Sequence, residues 1–490
     1  MGKSVCVIGG GFGGLSAAAL LAHEGFEVTL LEKNDSVGGR ARVWEESGFV
    51  FDMGPSWYLM PEVFEHFFER LGKRREDYYE LQRLDPYYRV FFGPEEHVDI
   101  TSDLQQVEEL FESFETGGAR QLREYLKQSE YKYNVAMEHF LYREYRTLFQ
   151  FFNGRIMTEG LKLNVFSSLD RFVRKFFSDR RARQILEYAM VFLGNSPSNA
   201  PALYSIMSHV DLNLGVWFPK GGMAALVSGL RTVAEEEGVR IVTGAPVRSI
   251  VTEQGNAQAV RTDQGDFACD LVLTNADYAH AELELLSKEH RSYSGRYWNS
   301  RVLAPTMFVI YLGLSRKLHT VAHHNLYFSD PWEEHFEAIF DRPRWPERPS
   351  YYVSCASFDD EGVAPEGHEN VFFLVPVAPG LEDSDEIRER YAEKVLDHFE
   401  RLTGENIRDH ILIRRLYSHR DFSRDYNAFR GSALGLSHTL SQTAVFRPSH
   451  RSKRVKNLYY SGQYTHPGVG VPMTFISADV VTDEILKEYA

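Results

Sequence analysis

The sequence predicts an α/β fold in which a domain built on a parallel sheet is interleaved with a second domain of mixed sheet and helices. The first 24 residues form an apolar strand, a glycine-rich turn and an alanine-rich helix, which is the start of a βαβ unit. Helices and short strands alternate again from about residue 224, and a strand, a glycine-rich turn and a helix close the chain. The length of 490 residues exceeds what one hydrophobic core usually fills, so at least two domains are expected.

The composition narrows the classes of function. A formal net charge of -15 argues against a nucleic-acid-binding protein, which needs a basic face. Cys6, Cys269 and Cys355 are too widely spaced for a disulfide framework or a zinc site. The first two lie in or beside apolar strand patterns, so we expect them to be buried in a protein of a reducing, cytoplasmic compartment. No apolar run approaches the length of about 20 residues that spans a bilayer, so any membrane contact should be peripheral.

The glycine-rich turn after the first strand has the spacing of a dinucleotide site. Strand Ser4–Ile8 leads into the turn, and the helix continues to Glu24. In this pattern the first glycine makes the tight turn, the second lets a pyrophosphate approach the backbone, and the last lets the helix pack on the strand. Phosphates then rest on the free N–H groups of the helix N-terminus. The candidate cofactor-binding residues in this turn are Gly9, Gly11, Phe12, Gly13 and Gly14.

A carboxylate follows the second strand at the distance expected for ribose binding. Strand Glu27–Leu31 ends at Glu32, which lies 18 residues after Gly14. Rossmann-like sites place an acidic residue about 20 residues beyond their glycines. The order of strand, turn, helix, strand and acid therefore predicts a Rossmann-like domain, with Glu32 and its neighbour Lys33 as candidate cofactor contacts.

A second pair of glycines indicates which dinucleotide binds. Gly38-Gly39-Arg40 follows the acidic residue closely. This segment resembles the paired-glycine extension of the FAD-binding group that includes amine oxidases, protoporphyrinogen oxidase and carotenoid desaturases. The resemblance implies FAD as the cofactor, with Arg40 and nearby backbone N–H groups at its pyrophosphate. It also implies that the turn containing Gly54, Pro55 and Ser56 lies near the flavin ring.

Periodicity predicts the elements in between. We expect helices over residues 61–72, 104–150, 151–194, 224–237 and 385–402, and a hairpin-like pair of strands over 87–100. Strands are predicted over 240–243, 247–252, 257–262, 267–274, 306–314, 350–357 and 370–377.

The C-terminal segment repeats the arrangement of strand, glycine-rich turn and helix. We predict strand 457–461, a turn that begins at Gly462, and a helix over 472–488 with Pro472 in its first turn. A helix N-terminus at this place would favour the negative charge of a reduced flavin. Gly462, Gln463, Val471 and Pro472 are therefore further candidate cofactor contacts.

This C-terminal segment resembles that of the bacterial and archaeal phytoene-desaturase family of carotenoid oxidoreductases. The resemblance covers nearly the whole chain, because other pieces match in order: Leu84-Asp85-Pro86, Pro201-Ala202-Leu203-Tyr204, residues 218–223 and Asn275-Ala276-Asp277. It implies an FAD-binding domain assembled from residues 1–75, 205–285 and 415–490, and a substrate and membrane-facing domain from 76–204 and 286–414. It further implies FAD contacts from Val247, Asn275 and Met473.

The family's chemistry explains why no classical catalytic constellation stands out. A desaturase removes two hydrogens from adjacent carbons of a hydrocarbon, and the cofactor must do the difficult part. We expect hydride transfer from an allylic carbon to flavin N5, followed by loss of a proton from the neighbouring carbon. His466 is the candidate catalytic side chain; the alternative is a structural histidine that holds the turn by a backbone hydrogen bond. His323 and His324 should point to opposite faces of a strand, so no metal site is expected.

The resemblance implies a long apolar polyene as substrate and a quinone or oxygen as electron acceptor, with no nucleic acid. Such a substrate would enter from a bilayer. Between Arg171 and Arg183, six basic residues interleave with three phenylalanines, which could seat the protein on anionic headgroups. The alternative is a solvated helix with its phenylalanines in the core. The basic residues are Arg171, Arg174, Lys175, Arg180, Arg181 and Arg183, and the phenylalanines are Phe172, Phe176 and Phe177.

Several functions stay open on the sequence alone. The substrate is phytoene, a C30 dehydrosqualene-type precursor or an already coloured carotenoid handled by a later-step desaturase or oxidase. A saturase or an isomerase on the same scaffold is a further alternative. An amine-oxidase-like enzyme with a polar substrate shares the N-terminal motifs. A prenyl-binding protein related to the GDP-dissociation inhibitors shares the fold but needs no FAD. The number of desaturation steps and the oligomeric state are equally open.

Overall fold

The computed structural model describes residues 2–94, 96–143 and 167–489, and within them the chain folds into an α/β structure. The strands are β1 Ser4–Ile8, β2 Glu27–Leu31, β3 Val43–Glu46, β4 Phe49–Asp52, β5 Leu81–Arg83, β6 Tyr88–Gly93, β7 Glu96–Ile100, β8 Trp217–Pro219, β9 Arg240–Val242, β10 Val247–Glu253, β11 Asn256–Thr262, β12 Gly265–Ala268, β13 Leu271–Thr274, β14 Thr306–Leu314, β15 His324–Tyr327, β16 Tyr351–Ser354, β17 Glu369–Val377, β18 Ile411–Tyr417 and β19 Leu458–Tyr460.

Helices alternate with these strands along the chain. The α-helices are α1 Phe12–His23, α2 Pro61–Arg70, α3 Leu104–Phe114, α4 Gly118–Ala136, α5 Leu169–Val173, α6 Arg180–Glu187, α7 Ile206–His209, α8 Met223–Glu236, α9 Tyr278–His280, α10 Gly295–Asn299, α11 Glu333–Phe336, α12 Asp385–Thr403, α13 His419–Tyr426 and α14 Val471–Tyr489.

A five-stranded parallel sheet organises one part of the molecule. Its strand order is β19-β13-β1-β2-β9, so that β1 lies in the middle. Helix α1 packs against both α14 and α8 and covers one face of this sheet. Parallel strands are buried on both faces, which is why β1 and β13 read as continuous apolar runs. The carboxyl ends of β1 and β2 lead into the glycine turn and Glu32, as expected for a Rossmann-like sheet.

A seven-stranded mixed sheet organises the other part. Its order is β18-β14-β17-β16-β15-β6-β7, and β15 pairs with β6 in parallel. All nine residues of β14, the second strand in this order, are buried. Alternate residues such as Phe308 and Ile310 pack in a core with helix α12, while Met307 and Val309 belong to the core on the opposite face. This two-residue alternation gives the sheet a second apolar face, which is available for a ligand.

Most predicted elements are confirmed, and the differences have physical reasons. The helical prediction over 104–150 gives the α-helices α3 and α4, which are separated at Gly117, a residue with a left-handed φ of 84°. The last residues of this range, 144–150, lie outside the described residues. The strand predicted over 267–274 is two strands that separate at Cys269 and belong to different sheets. Strand 350–357 ends early at Ser354. Where the structure describes the range 151–194, the predicted helices correspond to the short α-helices α5 and α6. The first part of the range, through residue 166, lies outside the described residues.

The phenylalanines of the 171–183 segment, for which contact with a membrane and packing in the core were the two alternatives, point into the protein. Phe172 and Phe177 are 2% and 1% exposed and contact the buried ring of Tyr125 with ring centroids 5.6 and 6.4 Å apart. Phe176 packs against the same ring. These three phenylalanines therefore pack within the protein, whereas Arg171 and Lys175 are exposed to solvent. All three cysteines are buried and free. Among the described helices none is long and apolar enough to cross a bilayer.

Candidate functional site

A large cavity runs from the glycine turn of the parallel sheet to the inner face of the seven-stranded sheet. Its lining atoms enclose about 2190 Å³ of empty space, part of it open to solvent. Seventeen of the twenty candidate cofactor-binding residues line it. Only Gly14, Pro472 and Met473 are absent from its wall. The lining candidates are Gly9, Gly11, Phe12, Gly13, Glu32, Lys33, Gly38, Gly39, Arg40, Gly54, Pro55, Ser56, Val247, Asn275, Gly462, Gln463 and Val471.

The glycine turn brings the start of α1 to the cavity with its N–H groups available. Gly11 caps the helix with an extended backbone and without a side-chain hydrogen bond. A helix start of this kind presents donors and a positive dipole to an anion. Gly14 lies behind the turn, where a β-carbon would sit 2.0 Å from the carbonyl oxygen of Gly9. Its role is to let α1 approach β1 closely.

Glu32 is held at the end of β2 by donors from two loops. Its Oε2 accepts the Gly10 N–H at 2.8 Å, and its Oε1 accepts the N–H and Nδ2 of Asn34, both at 2.9 Å. Burial raises the pKa of Glu32, while these backbone bonds act in the opposite direction. The neighbouring Lys33 turns its ammonium to the Arg424 carbonyl at 2.6 Å. Glu32 is thus the acidic group presented to the cavity at this corner.

Arg40 is a half-buried cation that lacks an acidic partner in the part of the chain that the structure describes. Its Nε and Nη2 are buried without a hydrogen-bond partner there, and its guanidinium lies 5.5 Å from the ring of Tyr426. Arg42, two residues on, has an ion pair with Asp425. A buried guanidinium without such a partner calls for an anion with several oxygens. The FAD pyrophosphate fits this requirement.

The C-terminal turn forms the wall on the other side of the cavity. Gly462, Gln463, Val469, Gly470 and Val471 line it, and α14 begins there. Arg447, a residue that the sequence pattern did not single out, holds this turn in place through hydrogen bonds to its backbone. Its guanidinium is 5% exposed and donates to the carbonyl oxygens of Gln463 at 2.6 Å and Thr465 at 3.0 Å. Burial lowers the pKa of Arg447 to about 10, so the group remains charged at neutral pH.

His466 lies in the same turn but not in the cavity wall. Its Nε2 is 3.1 Å from the Phe140 oxygen and 3.0 Å from the Leu141 oxygen, and because both are carbonyls, Nε2 must carry the proton and donate. Burial lowers the pKa of His466 to about 4, so the ring is neutral at physiological pH. This geometry ties the turn to the segment after α4.

The part of the cavity beyond the flavin-binding motifs is apolar. The face of the seven-stranded sheet contributes Met307, Val309 and Leu374. Met207 comes from α7, and Phe192 from the turn that follows Met190. The sequence does not reveal that Met307 and Val309 face the cavity. Nearly every residue of β14 is apolar, so the two faces of the strand cannot be told apart from its residue pattern. Tyr311, Tyr352 and Phe372 complete this wall.

One carboxyl group interrupts the apolar lining. Asp211 lines the cavity and is 5% exposed. The hydroxyls of Tyr88 and Tyr188 both donate to its Oδ2, at 2.7 and 3.2 Å. Its Oδ1 has no hydrogen-bond partner among the described residues. Burial raises the pKa of Asp211 to about 7.

The two adjacent histidines differ from the expectation that they would point to opposite faces. The strand begins only at His324, so no alternation applies, and the two rings lie 4.4 Å apart. His324 Nδ1 bonds to the Tyr352 hydroxyl at 2.7 Å and His323 Nδ1 to Asp359 at 2.8 Å. Among the described residues no cluster of three metal-ligating side chains is found.

Comparisons with known proteins agree with this geometry. The model of the flavin-containing amine oxidoreductases matches residues 12–486. The chain is 46% identical to the carotenoid 3,4-desaturase of Haloarcula japonica, covering 100% of this chain and 99% of that protein. It is 36% identical to the zeta-carotene-forming phytoene desaturase of Myxococcus xanthus, with 99% and 94% covered. An oxidoreductase from Methanosarcina mazei has the same fold, with a TM-score of 0.65, 18% identity and 98% and 100% covered. The chain therefore belongs to the flavin-containing amine oxidoreductase family, as an FAD-dependent oxidoreductase related to its carotenoid desaturases.

Proposed function

We propose that this protein desaturates an acyclic carotenoid, removing two hydrogens from adjacent carbons. The observation that carries the proposal is the continuity of the cavity from the glycine turn to an apolar wall. A hydrocarbon polyene has no polar group that could form hydrogen bonds with an enzyme, so its binding depends on the apolar surface that it buries against the cavity wall. Full-length identity of 46% to a carotenoid 3,4-desaturase supports this choice over an amine oxidase with a polar substrate.

We propose that FAD occupies the motif-lined half of the cavity. The start of α1 and Arg40 would hold the pyrophosphate, Glu32 a ribose, and Val247 the adenine end, while residues 54–56 and the turn at Gly462 would flank the flavin. His466 would act as a structural residue that holds this turn. The proposed FAD-binding domain, 1–75, 205–285 and 415–490, contains all five strands of the parallel sheet. The proposed substrate domain, 76–204 and 286–414, contains the seven-stranded sheet except for the last residues of β18.

The chemistry divides between the cofactor and the chain. Bound FAD supplies the two-electron oxidant that accepts a hydride, and a quinone or oxygen is the proposed final acceptor. The protein orients the polyene, because Met307, Val309 and Phe192 offer apolar contact without competing polar groups. The same residues exclude water from the reacting carbons, which protects a cationic carbon from attack by water.

The identity of the substrate is tested by expressing the protein in two hosts, one that accumulates lycopene and one that accumulates phytoene. The stronger similarity to a 3,4-desaturase, 46% against 36% for the phytoene desaturase, favours an already conjugated acyclic carotenoid. We expect hosts that accumulate lycopene to form a pigment with longer-wavelength absorption, because each added double bond extends the conjugated system. Hosts that accumulate phytoene should remain colourless. A coloured product in the phytoene host and no change in the lycopene host would mean that the substrate is phytoene. No product in either host would refute the proposed desaturation.

We further propose peripheral contact with the cytoplasmic face of a membrane, where the substrate dissolves. Since the phenylalanines of the 171–183 segment are in the core, only its exposed cations can contribute. Arg174, Arg180 and Arg181 already form ion pairs with carboxylates. Arg171 and Lys175 are exposed and are the candidates.

Reversing these two charges should weaken binding to anionic liposomes. Each basic residue near such a surface contributes about 1 kcal/mol, so losing these two positive charges alone weakens binding about 30-fold, and the Arg171→Glu, Lys175→Glu variant, which also adds two negative charges, should bind more weakly still. Co-sedimentation with vesicles that contain phosphatidylserine measures this. The matched control reverses Lys288 and Lys456, two exposed lysines elsewhere on the chain. Equal binding by all three proteins would remove the segment from the proposal.

A further inference from the structure

The carboxyl group of Asp211 is not among the groups proposed above to hold FAD, and its surroundings distinguish it from the other residues of the cavity wall. It lies on the segment after α7, between β6 and α6 in space, where the Tyr88 and Tyr188 hydroxyls reach it. The two tyrosine rings are 5.4 Å apart, and the ring of Trp57 lies 5.3 Å from Tyr88 and 6.1 Å from Tyr188. Trp57 directly follows residues 54–56, which line the cavity beside the arginine proposed for the pyrophosphate. Asp211 is therefore close to the junction of the motif-lined and apolar halves.

The hydrogen bonds fix one oxygen of the carboxyl group and leave the other without a partner. Both tyrosine hydroxyls donate to Oδ2, whereas Oδ1 has no partner among the described residues. A buried carboxyl oxygen without a donor is costly to maintain for packing alone. A group of this kind that also lines a ligand-sized cavity, as Asp211 does, is a candidate to act on the ligand. Among the described residues that line the apolar half of the cavity, Asp211 is the only carboxylate.

We propose that Asp211 is a catalytic residue that accepts the proton released by the substrate during desaturation. The inference rests on the proposed function. One substrate carbon loses a hydride, with its electron pair, to FAD. The C–H bond of the adjacent carbon then breaks, its electron pair forms the new C=C bond, and the proton bonds to Oδ1 of Asp211. Two hydrogens and two electrons leave the substrate, and no further reactant is needed.

The electrostatic setting suits a base that works near neutral pH. Burial raises the pKa of Asp211 to about 7, and the two tyrosine hydrogen bonds act in the opposite direction. The titratable groups that face it are Tyr88 and Tyr188, with Tyr87 and its hydrogen-bonded partner Arg83 further out. General bases are most effective when their pKa lies near the working pH. The rate should therefore fall as the pH drops below about 7, because Asp211 then holds a proton already.

The test compares Asp211→Asn with Glu187→Gln. Glu187 is a matched control, because it is 2% exposed, has an oxygen without a partner among the described residues and has a pKa raised to about 8, yet does not line the cavity. We expect both variants to retain FAD. The Asp211→Asn variant should lose about 100- to 10,000-fold in the rate of carotenoid desaturation and lose the acidic limb of its pH profile. The Glu187→Gln variant should keep both. Equal rates in the two variants would overturn the proposal.

A second measurement does not depend on turnover. The carbonyl stretching band of the protonated Asp211 carboxyl should titrate near pH 7 in the infrared spectrum of the FAD-loaded protein and be missing from Asp211→Asn. Adding lycopene should move this titration to higher pH, because an apolar chain beside the carboxyl further disfavours its charged form. A band that carotenoid does not shift would mean that Asp211 does not face the substrate and would overturn the proposal. A wild-type protein that shows the shift but no product would refute the proposed function alone.

Discussion

Replacing Gly14 with alanine is expected to abolish FAD binding. The added methyl carbon would sit 2.0 Å from the Gly9 carbonyl oxygen, which is a backbone atom and cannot swing away as the end of a flexible side chain could. Helix α1 must then withdraw from β1. Such overpacking costs about 3 kcal/mol, which exceeds the gain of about 1 kcal/mol that alanine brings to a helix interior. The N–H groups at the start of α1 would move with it, away from the pyrophosphate.

The measurement is the ratio of flavin absorbance to protein after purification, together with urea unfolding. Gly93→Ala is the control, because a β-carbon at Gly93 meets no atom within 4 Å and its backbone is not left-handed. We expect full flavin content in the control and close to none in Gly14→Ala. Normal flavin content in Gly14→Ala would mean that the turn can relax, and would contradict the close packing of α1 on β1.

Replacing Arg447 with methionine is expected to lower the free energy of unfolding by more than about 4 kcal/mol. The guanidinium donates to the carbonyls of Gln463 and Thr465 in the C-terminal turn and to that of Gln442 on the preceding segment. Methionine fills a similar length but donates nothing, so these buried carbonyls lose their donor at a cost of about 1–3 kcal/mol each. The turn contributes Gly462 and Gln463 to the cavity, so flavin retention should fall as well.

Arg454→Met provides the comparison, since Arg454 is exposed and only seven residues away. Urea unfolding should give an unchanged midpoint for this variant and a much lower one for Arg447→Met. If Arg447→Met unfolded at the wild-type midpoint, the arginine would not be what holds the C-terminal turn.

The cavity wall around the glycine turn could be predicted from the sequence because its signals are local. Gly9 to Gly14, Glu32 and Gly38 to Arg40 occupy fixed places relative to two short strands and a helix, so spacing along the chain specifies spacing in the fold. The same holds for the strand, turn and helix at the C-terminus. The apolar pattern also gave the long elements such as β14, β17 and α12 almost to the residue.

The sequence by itself thus determined the fold class, the cofactor and the family. The tertiary structure decided which face of β14 lines the cavity, because a strand that is apolar at every position has no readable alternation. It also decided that Phe172 and Phe177 serve the core, since helical periodicity does not say what covers an apolar face. Arg447 and Asp211 emerged only from the structure. Arg447 and Asp211 have hydrogen-bond partners that are distant along the chain, and one oxygen of Asp211 has no partner among the described residues. No local sequence pattern encodes either property.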